Sequence, residues 1–278
     1  MVKLKLKKFD PRTMKDDRIS MFCASRGGGK STLVKNILYH KRHLPMGQVY
    51  STTEESNEAY QAIVPDSFIY GDFSEEGLSR LMERQRKKTV EYNQRGLGEY
   101  PNVFVVADDC MADKKIWKSK LVRDIFLNGR HRKVFLLVTV QYLMDMSPDL
   151  RENIDYLFVL ASESRTTKEK LWRNFFSSIP DFNVFCEILD QCTHDYGCLV
   201  LDKTIKSQNI TDKIFYYKAE FVPDFKMGCA QFWEYDRLRN RKFAEQVLER
   251  RPDDEEATGL QYAQAPRSNR PRITVIHD

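Results

Sequence analysis

The chain has 278 residues, of which 41% are hydrophobic and 31% are charged, and its formal net charge is +5. The length suits one large α/β domain, and the apolar fraction excludes a mainly disordered chain. A net charge of this size permits an acidic partner without demanding one.

The sequence contains no apolar run long enough for a membrane-spanning helix. The longest candidates, residues 134–140 and 156–161, have the length of strands. The first residues alternate lysine and leucine instead of forming the apolar core of a secretory signal. Six scattered cysteines in a chain of this size do not suggest a disulfide framework. We therefore expect a soluble intracellular protein that is not secreted and has no membrane span.

Residues 3–7 alternate lysine and leucine, which predicts a half-buried strand with a basic outer face. Two interpretations of the lysines remain open. They protect the edge of a sheet against aggregation, or they form a basic strip that faces phosphates of nucleic acid.

A glycine-rich loop follows the next predicted strand, residues 18–23, and precedes a predicted helix, residues 31–40. The loop runs through three glycines into Lys30 and Ser31. This order of strand, loop and helix is typical of a phosphate-binding loop, in which glycines let backbone N–H groups turn toward a phosphate. The N-terminus of the helix adds a partial positive charge. Lys30 can then reach the β- and γ-phosphates of ATP, and Ser31 can ligate Mg²⁺.

The predicted nucleotide-binding residues are consecutive. They are Ala24, Ser25, Arg26, Gly27, Gly28, Gly29, Lys30, Ser31 and Thr32. The usual pattern has glycine at the first of these positions, and alanine restricts a site at which a positive φ is expected. The alternative interpretation is a glycine-rich turn before a helix, with Lys30 simply on the surface.

The next segments predict two further strands, residues 47–51 and 67–73, and a charged helix, residues 75–93. A loop over residues 96–102 then leads to the apolar run 103–107, which ends in two acids, Asp108 and Asp109. A buried parallel strand delivers such carboxylates to the end of the sheet where ligands bind.

Asp108 and Asp109 suit two different roles in nucleotide hydrolysis. Asp108 would hold Mg²⁺ directly or through water, and Asp109 would act as the general base that polarises the attacking water. The alternative is that Asp109 or Asp113 caps the N-terminus of a helix.

A helix is predicted over residues 116–127, followed by an apolar strand, residues 134–140, that ends at Gln141. A side-chain amide at this position can contact the γ-phosphate or its water and so sense the state of the nucleotide. The alternative is that Gln141 satisfies backbone groups of the following loop.

The remaining chain predicts strands over 155–160, 196–201 and 214–219 and helices over 165–176, 181–192 and 231–251. The order of elements indicates an α/β fold of the P-loop NTPase type, with a mostly parallel sheet flanked by helices. We expect one P-loop domain over residues 1–251, with a core at about 18–160 that residues 161–251 complete. Residues 252–278 are expected to form a flexible polar tail.

Several stretches of the chain resemble the FtsK–HerA superfamily of P-loop ATPases. They are residues 24–32, 103–109, 128–131, 138–141 and 148–153, and together they extend over about residues 18–160. More closely, they resemble the poxvirus-type DNA-packaging ATPases of large nucleocytoplasmic DNA viruses. The Gly-Arg-His segment at residues 129–131 and the Arg-x-Asn segment at residues 151–153 are more specific than the phosphate loop. Two departures are Ala24, and Asp109 where many relatives carry glutamate.

The resemblance implies an ATP- and Mg²⁺-dependent ring, commonly hexameric, that moves double-stranded DNA into a capsid. One subunit would supply Lys30, Ser31, Asp108, Asp109 and Gln141. Its neighbour would supply an arginine that stabilises charge on the transferred phosphoryl group, with Arg130 as the first candidate and Arg151 as the second. The alternative for each arginine, which remains open, is a structural salt bridge.

The same resemblance implies contact with DNA phosphates, a capsid or portal-vertex protein as partner, and a location in the host cytoplasm, a viral factory or the virion. Two alternatives remain open. One is a related DNA-pumping or helicase ATPase of another mobile element, and the other is a nucleotide-binding scaffold without turnover.

Overall fold

A computed structural model describes residues 5–111 and 114–249 of the chain. The chain divides into two compact units, residues 1–236 and residues 237–278. The first unit contains every described strand, and the described part of the second, residues 237–249, is helical. The predicted domain end at residue 251 and the predicted tail over 252–278 lie outside the described residues and stay predictions.

The strands and helices of the described residues are numbered in chain order. The strands are β1 (Lys7–Lys8), β2 (Ile19–Cys23), β3 (Gly47–Ser51), β4 (Ile69–Tyr70), β5 (Val103–Asp108), β6 (Val134–Val140), β7 (Tyr156–Val159), β8 (Gly197–Asp202) and β9 (Ile214–Lys218). The helices are α1 (Lys30–His40), α2 (Glu54–Asn57), α3 (Glu75–Arg95), α4 (Lys120–Asn128), α5 (Pro148–Glu152), α6 (Arg165–Phe175), α7 (Phe182–Cys192) and α8 (Ala230–Glu249).

In the described part of the chain all strands join one sheet in the order β1-β9-β8-β7-β2-β6-β5-β3-β4. Six of its neighbouring pairs are parallel, and the pairs β7–β8 and β8–β9 are antiparallel. The prediction of a mostly parallel sheet flanked by helices is therefore confirmed.

The central strands are apolar throughout because both faces of the sheet are covered. Along β5, Val103 and Val105 point into one apolar layer, while Phe104 and Val106 point into the other. Helix α1 packs on the second layer, and helices α3, α4, α6 and α7 contribute buried side chains to the first.

The parallel arrangement gives the sheet two functionally different edges. Strands β2, β5 and β6 all end at one of them, which we call the carboxyl edge, and start at the other, the amino edge. Because β8 is antiparallel to β7, the loop before Gly197 also lies at the carboxyl edge.

Three sequence predictions differ from the structure in extent. Within residues 5–8 only Lys7 and Lys8 pair as a strand, and residues 67–73 contain a single short strand, β4, after a 3-10 turn. The helix predicted over 116–127 is divided: a 3-10 turn, Ile116–Lys118, precedes α4. Ser119 separates them because its ψ of 136° is extended, which interrupts the helical path.

Among the described residues, no helix combines the length and the apolar character needed to cross a bilayer.

Candidate functional site

The glycine-rich loop connects β2 to α1 at the carboxyl edge, as predicted. Gly27 and Gly29 have φ values of 74° and 87°, a backbone conformation that residues with a Cβ rarely adopt. Gly28 is required for a second reason, since a Cβ there would lie 2.9 Å from the Cβ of Ala24. The loop therefore brings its backbone to the N-terminus of α1, where unpaired N–H groups favour an anion.

Ala24 does not strain the loop. It is buried, its N–H donates to the carbonyl oxygen of Val140 at 3.2 Å, and it is not among the residues with positive φ. The expectation that the first position of the loop needs a positive φ is therefore wrong for this chain, and alanine fits the backbone that is present.

The side chain of Lys30 is 4% exposed and turns back over the loop. Its Nζ donates to the carbonyl oxygens of Ala24 and Ser25, both at 3.2 Å, and lies 3.6 Å from Oδ1 of Asp109. The ammonium thus lies between the phosphate loop and the end of β5, two strands away. A buried cation above a loop of this shape can contact phosphate oxygens.

Asp108 is buried at the end of β5, and both of its oxygens are hydrogen-bonded. Oδ1 accepts from Oγ1 of Thr139 at 2.6 Å, and Oδ2 accepts from the hydroxyl of Tyr60 at 2.7 Å. Burial, together with the neighbouring carboxylate, raises the pKa of the Tyr60 phenol well above its ordinary value. The phenol therefore remains a donor, and Asp108 is held in one orientation.

Asp109 has the left-handed backbone conformation, with φ of 51°, directly after the buried strand. Its backbone N–H donates to Oγ1 of Thr139 at 2.8 Å, so one hydroxyl fixes both acids. The Asp109 side chain is 26% exposed. It does not cap a helix, because the next helical turn begins at Ile116; Asp113 lies outside the described residues.

Gln141 follows β6, the strand between β2 and β5. It is exposed, and with Asp109 and Thr139 it lines a cavity of about 280 Å³. The side chains of Gln141 and Asp109 therefore face the same space at the carboxyl edge.

The donor set around the loop suits Mg²⁺ bound together with phosphates. Ser31 lies in the first turn of α1, and each oxygen of Asp108 retains a lone pair beyond its hydroxyl donor. Within residues 5–111 and 114–249, no group of three or more His, Cys, Asp or Glu side chains forms a metal cage. Mg²⁺ in phosphate-transfer sites needs no such cage, since substrate oxygens and waters complete its octahedron.

Cys23 and Cys110 flank these motifs, but burial suppresses the ionisation of both thiols. Burial raises the pKa of the Cys23 thiol to about 11 and that of the Cys110 thiol to about 12. Both thiols are protonated at neutral pH, so neither competes with Asp109 as a base or nucleophile.

Arg130 and Arg151 are not part of the Lys30–Asp109 cluster. Arg130 precedes β6 at the amino edge, where its guanidinium lies 3.6 Å from Oδ1 of Asp155. Arg151 lies in α5, and its guanidinium donates to Sδ of Met144, in the turn that follows β6, at 2.6 Å. The seven residues of β6 put roughly 20 Å of strand between Arg130 and Gln141.

The sequence analysis did not identify three residues of the site, because none of them belongs to a recognised motif. Thr139 could have been found, because it is the single polar residue in the apolar run of β6. Tyr60 had no local signal, since it approaches Asp108 from 48 positions earlier. Tyr196, from the loop before β8, lies against the phosphate loop: its Cδ1 is 3.4 Å from the position of a Cβ on Gly29.

Comparison with known proteins places this site in a family. Residues 6–209 match the family described as "Poxvirus A32 protein". The chain is 34% identical over 256 residues to protein L437 of Acanthamoeba polyphaga mimivirus, covering 87% of this chain and 90% of that protein. It is 36% identical over 212 residues to protein 015R of Frog virus 3, covering 75% and 64% of the two chains.

The fold is similar to solved structures of much lower identity. The genome packaging NTPase B204 from Sulfolobus turreted icosahedral virus 2, in complex with sulfate, superposes with a TM-score of 0.51 at 11% identity, over 78% of this chain and 100% of that chain. The ATPases 2 and 3 of EssC from Geobacillus thermodenitrificans superpose with a TM-score of 0.50 at 14% identity, over 84% and 45%. These similarities establish the P-loop ATPase fold.

Proposed function

This chain belongs to the poxvirus A32 protein family, and on that premise we propose that it is an ATPase that packages a double-stranded viral genome into a capsid. The poxvirus-type resemblance seen in the sequence is confirmed by the family match. The observation that carries the proposal is the position of Lys30, whose ammonium joins the phosphate loop to Asp109 at the carboxyl edge. The similar fold of B204, described as a genome packaging NTPase and solved with ATP-gammaS, supports it.

In the proposed reaction the chain binds ATP along the loop and orients a water at its γ-phosphate. Lys30 leaves the carbonyl oxygens of Ala24 and Ser25 and contacts the β- and γ-phosphates. The water oxygen bonds to the γ-phosphorus while Asp109 accepts its proton, and the bond from that phosphorus to the β-phosphate oxygen breaks, so that ADP leaves. Gln141 contacts the γ-phosphate or that water from the next strand. Ser31 and Asp108 would hold Mg²⁺, which supplies positive charge to the phosphate oxygens.

The position of Arg130 supports a role in a neighbouring subunit's site. Its side chain is 54% exposed, and its guanidinium makes a loose contact with Asp155 at the amino edge, away from the chain's own loop. Arg151 is the second candidate for the same role. A planar guanidinium that stays charged is suited to stabilise the transferred phosphoryl group.

We expect Arg130→Ala to bind ATP but to lose turnover, because the arginine acts in the neighbour's transition state. Mixing it with equally inactive Lys30→Ala should restore up to about a quarter of wild-type hydrolysis, since that share of interfaces in a randomly mixed ring pairs an intact Lys30 with an intact Arg130. Steady-state phosphate release measures the recovery. Arg132→Ala is the control, because Arg132 lies in the same turn but is paired with Asp124 at 3.0 Å. A mixture as inactive as its components would contradict the role in trans.

The proposal includes the setting of the reaction. The subunits form a homo-oligomeric ring, which we propose to be a hexamer. The ring surrounds double-stranded DNA and contacts it through the DNA phosphates. A capsid or portal-vertex protein receives the ring. The work takes place in the host cytoplasm, in a viral factory or in association with the virion. Contact through phosphates suits a motor that must accept any sequence.

The proposed function is tested by ATP hydrolysis with and without linear duplex DNA, at low and at moderate salt. We expect DNA to stimulate phosphate release several-fold and the stimulation to fade as salt rises, because phosphate contacts are screened by counterions. Lys30→Ala provides the background rate. ATP binding without hydrolysis in all conditions would instead favour a nucleotide-dependent scaffold, and hydrolysis that duplex DNA does not change would contradict a DNA motor.

A further inference from the structure

A cavity of about 670 Å³ adjoins the phosphate loop on one flank of α1. It is lined by Thr32, Lys35 and Asn36 of α1, by Ala62 and Ile63, and by the segment 220–226 that follows β9. Thr32 is also the last residue of the predicted nucleotide-binding run, so the cavity begins where the phosphate site ends. Its volume lies within the range of small-molecule and cofactor sites.

The segment 220–226, which forms one wall of the cavity, is fixed at both ends. At its start, Asn36 donates from Nδ2 to the carbonyl oxygen of Glu220 at 2.8 Å. At its end, the ring of Phe225 packs edge-on against Tyr39 of α1 with centroids 5.4 Å apart, and the N–H of Met227 donates to the carbonyl oxygen of Ile63 at 2.8 Å. The backbone of the segment is therefore held against α1 rather than free.

Phe221 is the exception within this anchored wall. The residue is 96% exposed, the highest value among the exposed large hydrophobic residues of the described chain, although it lines the cavity. A phenyl ring that gains nothing from burial in its own fold, on a backbone already held in place, is free to pack on a ligand. Aromatic rings stack on nucleobases whatever the base sequence, because every base presents a π-face.

We propose that this cavity binds the nucleoside part of the nucleotide, with Phe221 stacked on its purine base. The inference rests on the proposed function, because it assigns the base and ribose of the same ATP whose phosphates lie on the loop. The path is continuous: the first turn of α1 takes the phosphates, Thr32 marks the boundary, and Lys35 and Asn36 extend the wall along the helix. The α-phosphate links the two halves of the ligand across that boundary.

The test separates the two halves of the ligand by comparing ATP with inorganic tripolyphosphate, which has the phosphates but no nucleoside. We expect Phe221→Ala to raise the Kd for ATP by about tenfold, the loss typical of one removed base stack, and to leave the Kd for tripolyphosphate unchanged. Phe221→Trp should keep ATP affinity near the wild-type value. Its additional fluorescence should change when ATP binds and not when tripolyphosphate binds.

Tyr235→Ala is the matched control, because Tyr235 is an exposed aromatic residue, 56% exposed, that does not line the cavity. It should bind both ligands as the wild type does. Unchanged ATP affinity in Phe221→Ala would overturn the inference, and so would an equal loss for both ligands. A change in particle size at constant ATP affinity would assign Phe221 to a contact between subunits instead. A wild-type chain that binds tripolyphosphate and ATP equally would also overturn it, whereas one that binds neither would contradict the proposed ATPase itself.

Discussion

Replacing Lys30 by alanine is expected to lower ATP turnover by about a thousandfold or more, the order of magnitude for removing a preorganised charge from a phosphoryl-transfer site. The ammonium is nearly buried, and the two loop carbonyl oxygens and Asp109 already hold it above the loop. Phosphate release under saturating ATP is the measurement.

The control for Lys30→Ala is Lys87→Ala, which removes a lysine that is 69% exposed on α3. It should keep wild-type turnover, and circular dichroism should show that both variants are folded. Turnover near the wild-type value in Lys30→Ala would mean that the glycine-rich loop does not bind the reacting phosphates, and the ATPase proposal would fail with it.

The second large effect is expected for Asp109→Asn, which should lower turnover by about a hundredfold to ten-thousandfold while ATP still binds. Asparagine removes the base but keeps the size of the side chain. It also tolerates the left-handed backbone at this position better than most residues, so the φ of 51° can be retained. Single-turnover hydrolysis and equilibrium ATP binding, measured on the same preparation, separate the chemical step from affinity.

Asp109→Glu is the matched variant, because glutamate restores a carboxylate one methylene further from the backbone. It should recover part of the activity lost in Asp109→Asn. If the asparagine variant hydrolysed ATP normally, Asp109 would be the ion-pair partner of Lys30 and nothing more, and another group would have to orient the water.

The sequence predicted those parts of the site that depend on local pattern. Glycines before Lys30 fixed the loop, and two apolar runs ending in Asp108 and Gln141 fixed the strands that reach the same edge. The support of Asp108 was not predictable in the same way. Tyr60 arrives after α2 through tertiary packing, and a hydrogen bond between residues so far apart leaves no periodic signal.

The predicted extent of a strand was wrong where the strand is short. Residues 67–73 have an apolar and aromatic composition that favours a strand, but only Ile69 and Tyr70 pair with β3, at the end of the sheet. The outermost strand of a sheet has a neighbour on one side only, so its length depends on that pairing rather than on its own composition. The central strands β3 and β6, paired on both sides, begin and end where the sequence predicts.

The separation of Arg130 from the phosphate loop across the length of the sheet has a consequence for stoichiometry. If each site is completed by the arginine of the next molecule, the contact joins unlike surfaces, head to tail, and repeats without an intrinsic end. A row of subunits then always contains one site fewer than its members, because the molecule at one terminus has no donor. Closure into a circle removes that deficit. The last subunit to join therefore completes two sites at once, and activity per molecule rises with assembly size until the circle is complete.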